Sequence, residues 1–231
     1  MTMPCMCKKV VCFDLDDTLY KEIDFLKSGY RKVAGLVAKQ YGCDARTIYD
    51  QLLRWYYNGD NAFACMNEEY GFGNPINEYL DIYRYHHPTI TLSEETKDTL
   101  FKLKEEDVVL GIITDGREIT QKQKVEALGL DQWIPMEMVE INEDKKYFKP
   151  NHWSYDRMML KCYEKYPDND FTFYYVGDNT EKDFIAPNEL GWTSICLLDD
   201  GKNIHKQDYN VEKIKLPKKS ISNITELIDI I

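Results

Sequence analysis

At 231 residues, 43% hydrophobic and 13% aromatic, the chain carries enough apolar material for a full core, which excludes a disordered or purely linking role. Its 40 acidic against 29 basic side chains leave a net charge of -11, which repels nucleic-acid phosphates and anionic lipid. The seven cysteines are odd in number and lack zinc-site spacing apart from Cys5-Met6-Cys7, and no apolar run reaches signal-peptide or membrane-span length; the expectation is reduced thiols, a cytoplasmic location, and no nucleic-acid or membrane partner.

Cys5 and Cys7 read as part of a frayed N-terminal segment. The first apolar run, 9–14, is rich in β-branched and aromatic side chains and predicts a strand buried on both faces. From 21 to 91 no strand pattern occurs. Instead Ile23, Leu26, Tyr30, Val33 and Val37 form one stripe of a helix ending near Gly42, and Ile48, Leu52, Leu53 and Tyr56 form another after Asp44. Segments 71–75 and 86–88, with their Gly and Pro residues, read as loops or hinges. Beyond residue 92, strands predicted at 108–114, 137–141, 171–177 and 192–197 alternate with helices at 94–106, 118–129, 154–166 and 183–190. Such alternation predicts a parallel sheet with right-handed crossovers. Ser93 stands where a helix N-cap is wanted, and Gly129 where a C-terminal glycine is.

The chemistry concentrates at strand ends. Asp14-Leu15-Asp16-Asp17-Thr18 follows the first strand directly, at the edge where parallel sheets bind ligands. Two aspartates at i and i+2 can present one carboxylate to an electrophile and the other to its leaving group, provided a cation offsets their repulsion. Thr114-Asp115-Gly116 ends the second strand with a hydroxyl and backbone N–H groups able to cradle phosphate oxygens. Lys149, fixed before Pro150, can neutralise a carboxylate and a phosphate together. Gly177-Asp178 ends another strand, and Asp183 follows at a helix start; oxygen ligands of this kind suit octahedral Mg²⁺. A calcium loop opening at Asp14 would need Gly and Glu where Leu19 and Phe25 stand, and no P-loop occurs.

These four segments, in this order, resemble the motifs of the haloacid dehalogenase superfamily, and the resemblance extends over the whole chain. It implies an α/β fold: a Rossmann-like parallel sheet of order 5-4-1-2-3 flanked by helices, built from 1–20 and 92–231, with 21–91 inserted as an α-helical cap. It implies that Asp14 is the nucleophile of a phosphoryl transfer and Asp16 its acid and base. The superfamily's carbon-halogen hydrolases lack an acid two residues after the nucleophile, and Asp16 is such an acid. By the same resemblance Mg²⁺ is held by the carboxylates of Asp14 and Asp178 and the backbone carbonyl of Asp16, while Asp183 either joins it through water or orients Lys149. Thr114 and the N–H groups of Asp115 and Gly116 would hold the phosphoryl oxygens. Asp115 stands where the family often has Asn or another small polar residue. The implied activity is a Mg²⁺-dependent phosphatase of small phosphorylated metabolites, sugar phosphates first, acting as a monomer or homodimer. The alternatives are a phosphomutase and a non-catalytic binding or regulatory relative. The insertion would act as a lid whose Lys27, Arg31 or Arg54 sets specificity. Asp17 reads as a solvated turn residue contributing its N–H, and Arg117 as a substrate contact or the partner of a nearby acid. His86 and His87 read as surface or core fillers, and Trp55-Tyr56-Tyr57 as mainly cap core.

Overall fold

The computed structural model describes residues 7–231; Cys5 lies outside the described residues. The chain divides into two compact units, one formed by the chain up to Glu22 together with Thr91–Ile231, the other by Ile23–Ile90.

The larger unit is a parallel sheet of order β3-β2-β1-β4-β5-β6, with β1 (Cys7–Phe13), β2 (Val109–Asp115), β3 (Val139–Asn142), β4 (Asp170–Gly177), β5 (Thr193–Leu197) and β6 (Lys219–Ile221). The expected order holds for the first five strands, and β6 extends it at the β5 edge. That strand has three residues, two of them exposed, so it carries no apolar run by which to be read. Cys7 opens β1 opposite Asp170, with its Sγ 3.2 Å from Thr172 Oγ1, so it belongs to the sheet and not to a frayed segment. All six described cysteines are free thiols.

Val10, Val11, Cys12 and Phe13 are fully buried at the centre of the sheet. Removing each apolar side chain of this kind from water contributes about 1.5–3 kcal/mol. Around the sheet lie α5 (Glu94–Glu105), α6 (Glu118–Ala127), α7 (Trp153–Lys165) and the short α8 (Ile185–Glu189) and α9 (Leu227–Ile230). Ser93 caps α5 by accepting the Thr96 N–H at 3.1 Å, and Gly129 takes the left-handed conformation (φ 63°) just past α6. Both are where the sequence puts them.

The smaller unit contains four helices: nearly all of α1 (Glu22–Tyr41), then α2 (Ala45–Tyr57), α3 (Ala62–Tyr70) and α4 (Ile76–Tyr85). Ile23, Leu26, Tyr30, Val33 and Val37 are buried, as the stripe requires. Asp44 caps α2 through the Thr47 N–H at 2.7 Å. The interior is built from rings: Phe63 meets Tyr30 and Tyr79, each at 5.6 Å, and Phe25 meets Tyr83 at 5.4 Å. His86 is a core residue, its Nδ1 2.7 Å from Tyr83 O and its Nε2 3.0 Å from Ser28 Oγ. Of the aromatic triplet, Tyr56 packs edge-on against Tyr30, whereas Tyr57 is exposed. No helix among the described residues is long and apolar enough to cross a membrane.

Candidate active site

Register decides which strand ends meet. Phe13 pairs with both Ile112 and Val176, and the Asp14 N–H donates to Val176 O at 2.8 Å, so Asp14 emerges between Thr114 on one side and Gly177-Asp178 on the other. Leu15 is fully buried, which leaves its neighbours Asp14 and Asp16 lining one cleft with Thr114 and Asp178. The turn beyond is held by Asp17, which adopts φ 57° and accepts N–H groups from Glu22 and Ile204, each at 2.8 Å. Asp17 is therefore a buried clamp and not a solvated turn residue.

Lys149 sits beneath the cleft, almost wholly buried, with Nζ 2.5 Å from Asp14 Oδ1, 2.8 Å from Asp183 Oδ1 and 3.0 Å from Tyr175 Oη. Burial opposes its charge, but Asp14, Asp183 and Asp115 more than compensate and hold the ammonium well above its ordinary range. Asp183 also braces the backbone, because its Oδ2 accepts the N–H groups of Asp178 and Asn179 at 3.2 and 2.9 Å and so fixes the loop after β4. A Cβ on Gly177 would lie 2.6 Å from that same oxygen, so only glycine fits there.

Oxygens of Asp14, Asp178 and Asp183 lie within 4.8 Å of one another, all buried. Burial, with the charge of Asp183, pushes Asp14 up to about 6 despite Lys149. Burial and the charges of Asp183, Asp14 and Asp17 push Asp178 up to about 9. Carboxylates crowded until they hold on to protons, presenting oxygen donors alone, fit a hard divalent cation, which would relieve the repulsion.

Asp16 has a different setting. Its Oδ1 accepts from Tyr20 Oη at 2.5 Å and Lys124 Nζ at 2.7 Å, and its Oδ2 from Lys124 Nζ and Gln121 Nε2, both at 2.9 Å. Burial alone would raise this carboxyl, but the Lys124 charge and the three donors override it and hold Asp16 below the usual carboxylate range. Gln121 also donates to Thr114 Oγ1 at 2.7 Å, which directs the single hydroxyl hydrogen of Thr114 away from the amide. These three supporting residues were missed in the sequence. Tyr20 lies one helical turn from Asp16, but Gln121 and Lys124 give only an i, i+3 polar pair on a short helix.

The segment after β5 was missed as well. Asn203 Nδ2 donates to Asp178 Oδ2 at 2.9 Å and Gln207 Nε2 to Asp178 O at 2.8 Å. The turn that delivers them is wound on Asp199 Oδ1, which accepts N–H groups of Gly201, Lys202 and Asn203. One expectation needs correction. The Gly116 N–H donates to Asn142 O at 2.8 Å and is occupied in joining β2 to β3, so it is not the phosphate donor assigned to it. Gly116 is required for another reason, since at φ 146° a Cβ would press on Gln121 at 3.2 Å. Asp115 accepts from Asn142 Nδ2 at 3.0 Å, Lys149 N at 3.2 Å and Lys182 Nζ at 3.1 Å, and Arg117 is exposed at the start of α6.

Comparison with known proteins gives this arrangement its relatives. A glyceraldehyde 3-phosphate phosphatase of Methanocaldococcus jannaschii is 28% identical over 236 residues, covering 96% of both chains. In structure the chain resembles a HAD phosphatase from Thermococcus onnurineus (TM-score 0.57, 19% identity, 96% and 97% covered). It is equally like a 2-haloacid dehalogenase from Pseudomonas syringae (TM-score 0.59, 19% identity, 96% and 97% covered). Folds that carry out both reactions thus match alike, and shape alone does not choose between them. The model of the haloacid dehalogenase-like hydrolases matches residues 11–197, a span that takes in the C-terminal ends of β1 to β5, and the chain belongs to that family of hydrolases.

Proposed function

We propose that the chain is a Mg²⁺-dependent phosphatase of small phosphomonoesters, sugar and triose phosphates foremost, working through an aspartyl-phosphate on Asp14. The observation that carries this is a second carboxylate, Asp16, lining the same cleft as Asp14 and held there by three donors. The relatives named glyceraldehyde 3-phosphate phosphatases support the substrate class.

Asp14 attacks phosphorus in line with the leaving oxygen, and Lys149 together with Thr114 Oγ1 holds phosphoryl oxygens as charge moves between them. Asp16 gives its proton to the departing alkoxide. It then takes one from the water that attacks the acyl phosphate, which releases phosphate and restores Asp14. The ionised Asp16 of the resting site is in the form the second half-reaction needs. The charge of an arriving phosphate dianion favours its protonation for the first. Mg²⁺, held by Asp14, Asp178 and the backbone carbonyl of Asp16, would supply the positive charge that two carboxylates and a phosphate dianion require. Asp183 keeps Lys149 and the loop after β4 in place.

The reading of Ile23–Ile90 as a cap rests on its insertion between the first and second acidic segments of the chain. The test is phosphate release from a panel of sugar phosphates, an aryl phosphate and a folded phosphoprotein, with chelator, Mg²⁺ or Ca²⁺. Turnover of the small esters with Mg²⁺ only is expected, since Ca²⁺ takes more ligands at longer distances. Full activity in chelator, or equal kcat/KM on the phosphoprotein, refutes the corresponding part.

A further inference from the structure

Cations at the cleft are unevenly employed. Lys149 is buried and already committed to Asp14, Asp183 and Tyr175. Lys182, from the loop after β4, reaches across to the end of β2, with Nζ 3.1 Å from Asp115 Oδ2. Its side chain is 36% exposed and it is the lysine among the described residues lining the cleft, where Asp14, Asp16, Asp17, Asp115 and Asp178 also stand. Asp115 does not depend on it alone. The other carboxylate oxygen accepts from Asn142 Nδ2 and Lys149 N, so Asp115 keeps two donors if Lys182 leaves.

An acidic cleft that must admit a phosphate dianion gains from an ammonium able to change partners. Lysine suits such an exchange, because it acts as a mobile point charge on a flexible stem where arginine would lock into a fixed fork. We propose that Lys182 is a substrate-binding residue that exchanges Asp115 for the phosphoryl oxygens of the incoming ester. This rests on the phosphatase reading above. Lys149 keeps its place between the nucleophile and the transferring phosphoryl group, Lys182 adds a second ammonium that captures the phosphoryl group as it enters, and the Asp115–Lys182 pair keeps the empty cleft from accumulating a further uncompensated charge.

The rival role, a counter-ion for Asp115 and nothing more, makes an opposite prediction for a neutral pair. Orthophosphate binding, by calorimetry with Mg²⁺ present, and steady-state hydrolysis of a sugar phosphate would be compared for wild type, Lys182→Met, Lys182→Arg and the double variant Asp115→Asn/Lys182→Met. We expect orthophosphate affinity to fall about tenfold in both Lys182→Met and the double variant, as for loss of one charge-assisted contact. KM should rise by a similar factor while kcat changes less, and Lys182→Arg, which keeps the charge but holds Asp115 in a fixed fork, should recover only part of the loss. The double variant leaves no unpaired Asp115 charge, so misfolding does not obscure the result. If it binds orthophosphate within twofold of wild type, Lys182 is only a counter-ion. If wild type hydrolyses no phosphomonoester and binds no phosphate, the phosphatase reading falls and this inference with it.

Discussion

At the centre of the helical unit, Phe25, Tyr30, Phe63, Tyr79 and Tyr83 touch one another as rings, with His86 and Ser28 the buried polar pair among them. At the C-terminal edge of the sheet, by contrast, the buried groups include Asp14, Asp17, Asp178, Asp183, Lys149 and Lys124. Rings gain from many weak contacts, so the loss of one atom is felt roughly in proportion to the volume removed. Charges gain from a few strong, directional contacts. Each is tied to the next, from Gln121 through Asp16 to Lys124, and from Asp14 through Lys149 to Asp183. A single substitution there should leave the fold standing and stop the chemistry, whereas one among the apolar side chains should do the reverse.

The sharpest way to break that contrast is Asp14→Asn. The amide has the shape of the carboxylate but is neither nucleophilic nor anionic, so turnover should fall on the order of 10⁴-fold or more, as when other covalent nucleophiles are removed. Circular dichroism and thermal melting should still report a folded protein; retained turnover of a few per cent would overturn the assignment of the nucleophile. Asp16→Asn comes next, with a loss of about 10² to 10⁴ in kcat/KM on alkyl phosphates. Aryl phosphates leave without a proton and should lose much less. Equal losses on the two ester types would show that the proton is handled elsewhere.

On the apolar side, Leu52 is fully buried in α2, and Leu52→Ala should cost about 2–5 kcal/mol of stability in denaturant unfolding. A change below about 0.5 kcal/mol would mean that the unit is not packed as described. The smallest effect concerns pH and the metal-free protein. Asp14 and Asp178 are raised to about 6 and about 9, so the folded state binds their protons more tightly than the unfolded chain does. Stability from this source is present at low pH and is lost as pH rises through those values. The melting temperature without metal should therefore decline from pH 6 to pH 9, and Asp178→Asn or added Mg²⁺ should flatten the decline. A melting temperature that climbs over this range in chelator would contradict the crowded carboxylates.

Much of the fold was legible because it is written locally. Apolar runs ending in Asp14, Thr114 and Gly177 announce strands with chemistry at their ends, and the Ile23–Val37 stripe announces a helix, since period and punctuation are properties of neighbours in sequence. The third and fourth helices of the small unit and the three-residue β6 were not legible individually; their apolar signal is short or diluted by exposed positions. Asp17 misled because a polar residue after a strand has the same local appearance whether it faces water or clamps a distant amide such as that of Ile204.

What the sequence determined by itself was the set of groups that chemistry demands: two aspartates around one leucine, a hydroxyl, a lysine, and two further acids, each next to an element whose end could be read. What only the tertiary structure decided was which donors tend those groups. Gln121 lies 105 residues from Asp16, Lys182 67 from Asp115, and Asn203 25 from Asp178. A hydrogen bond to a carboxylate is satisfied by any donor that topology delivers within reach, so it imposes no spacing and leaves no periodic trace in the chain. The Gly116 amide makes the same point in the other direction. Its N–H is available to a ligand or taken by β3 according to a strand register that no local pattern encodes.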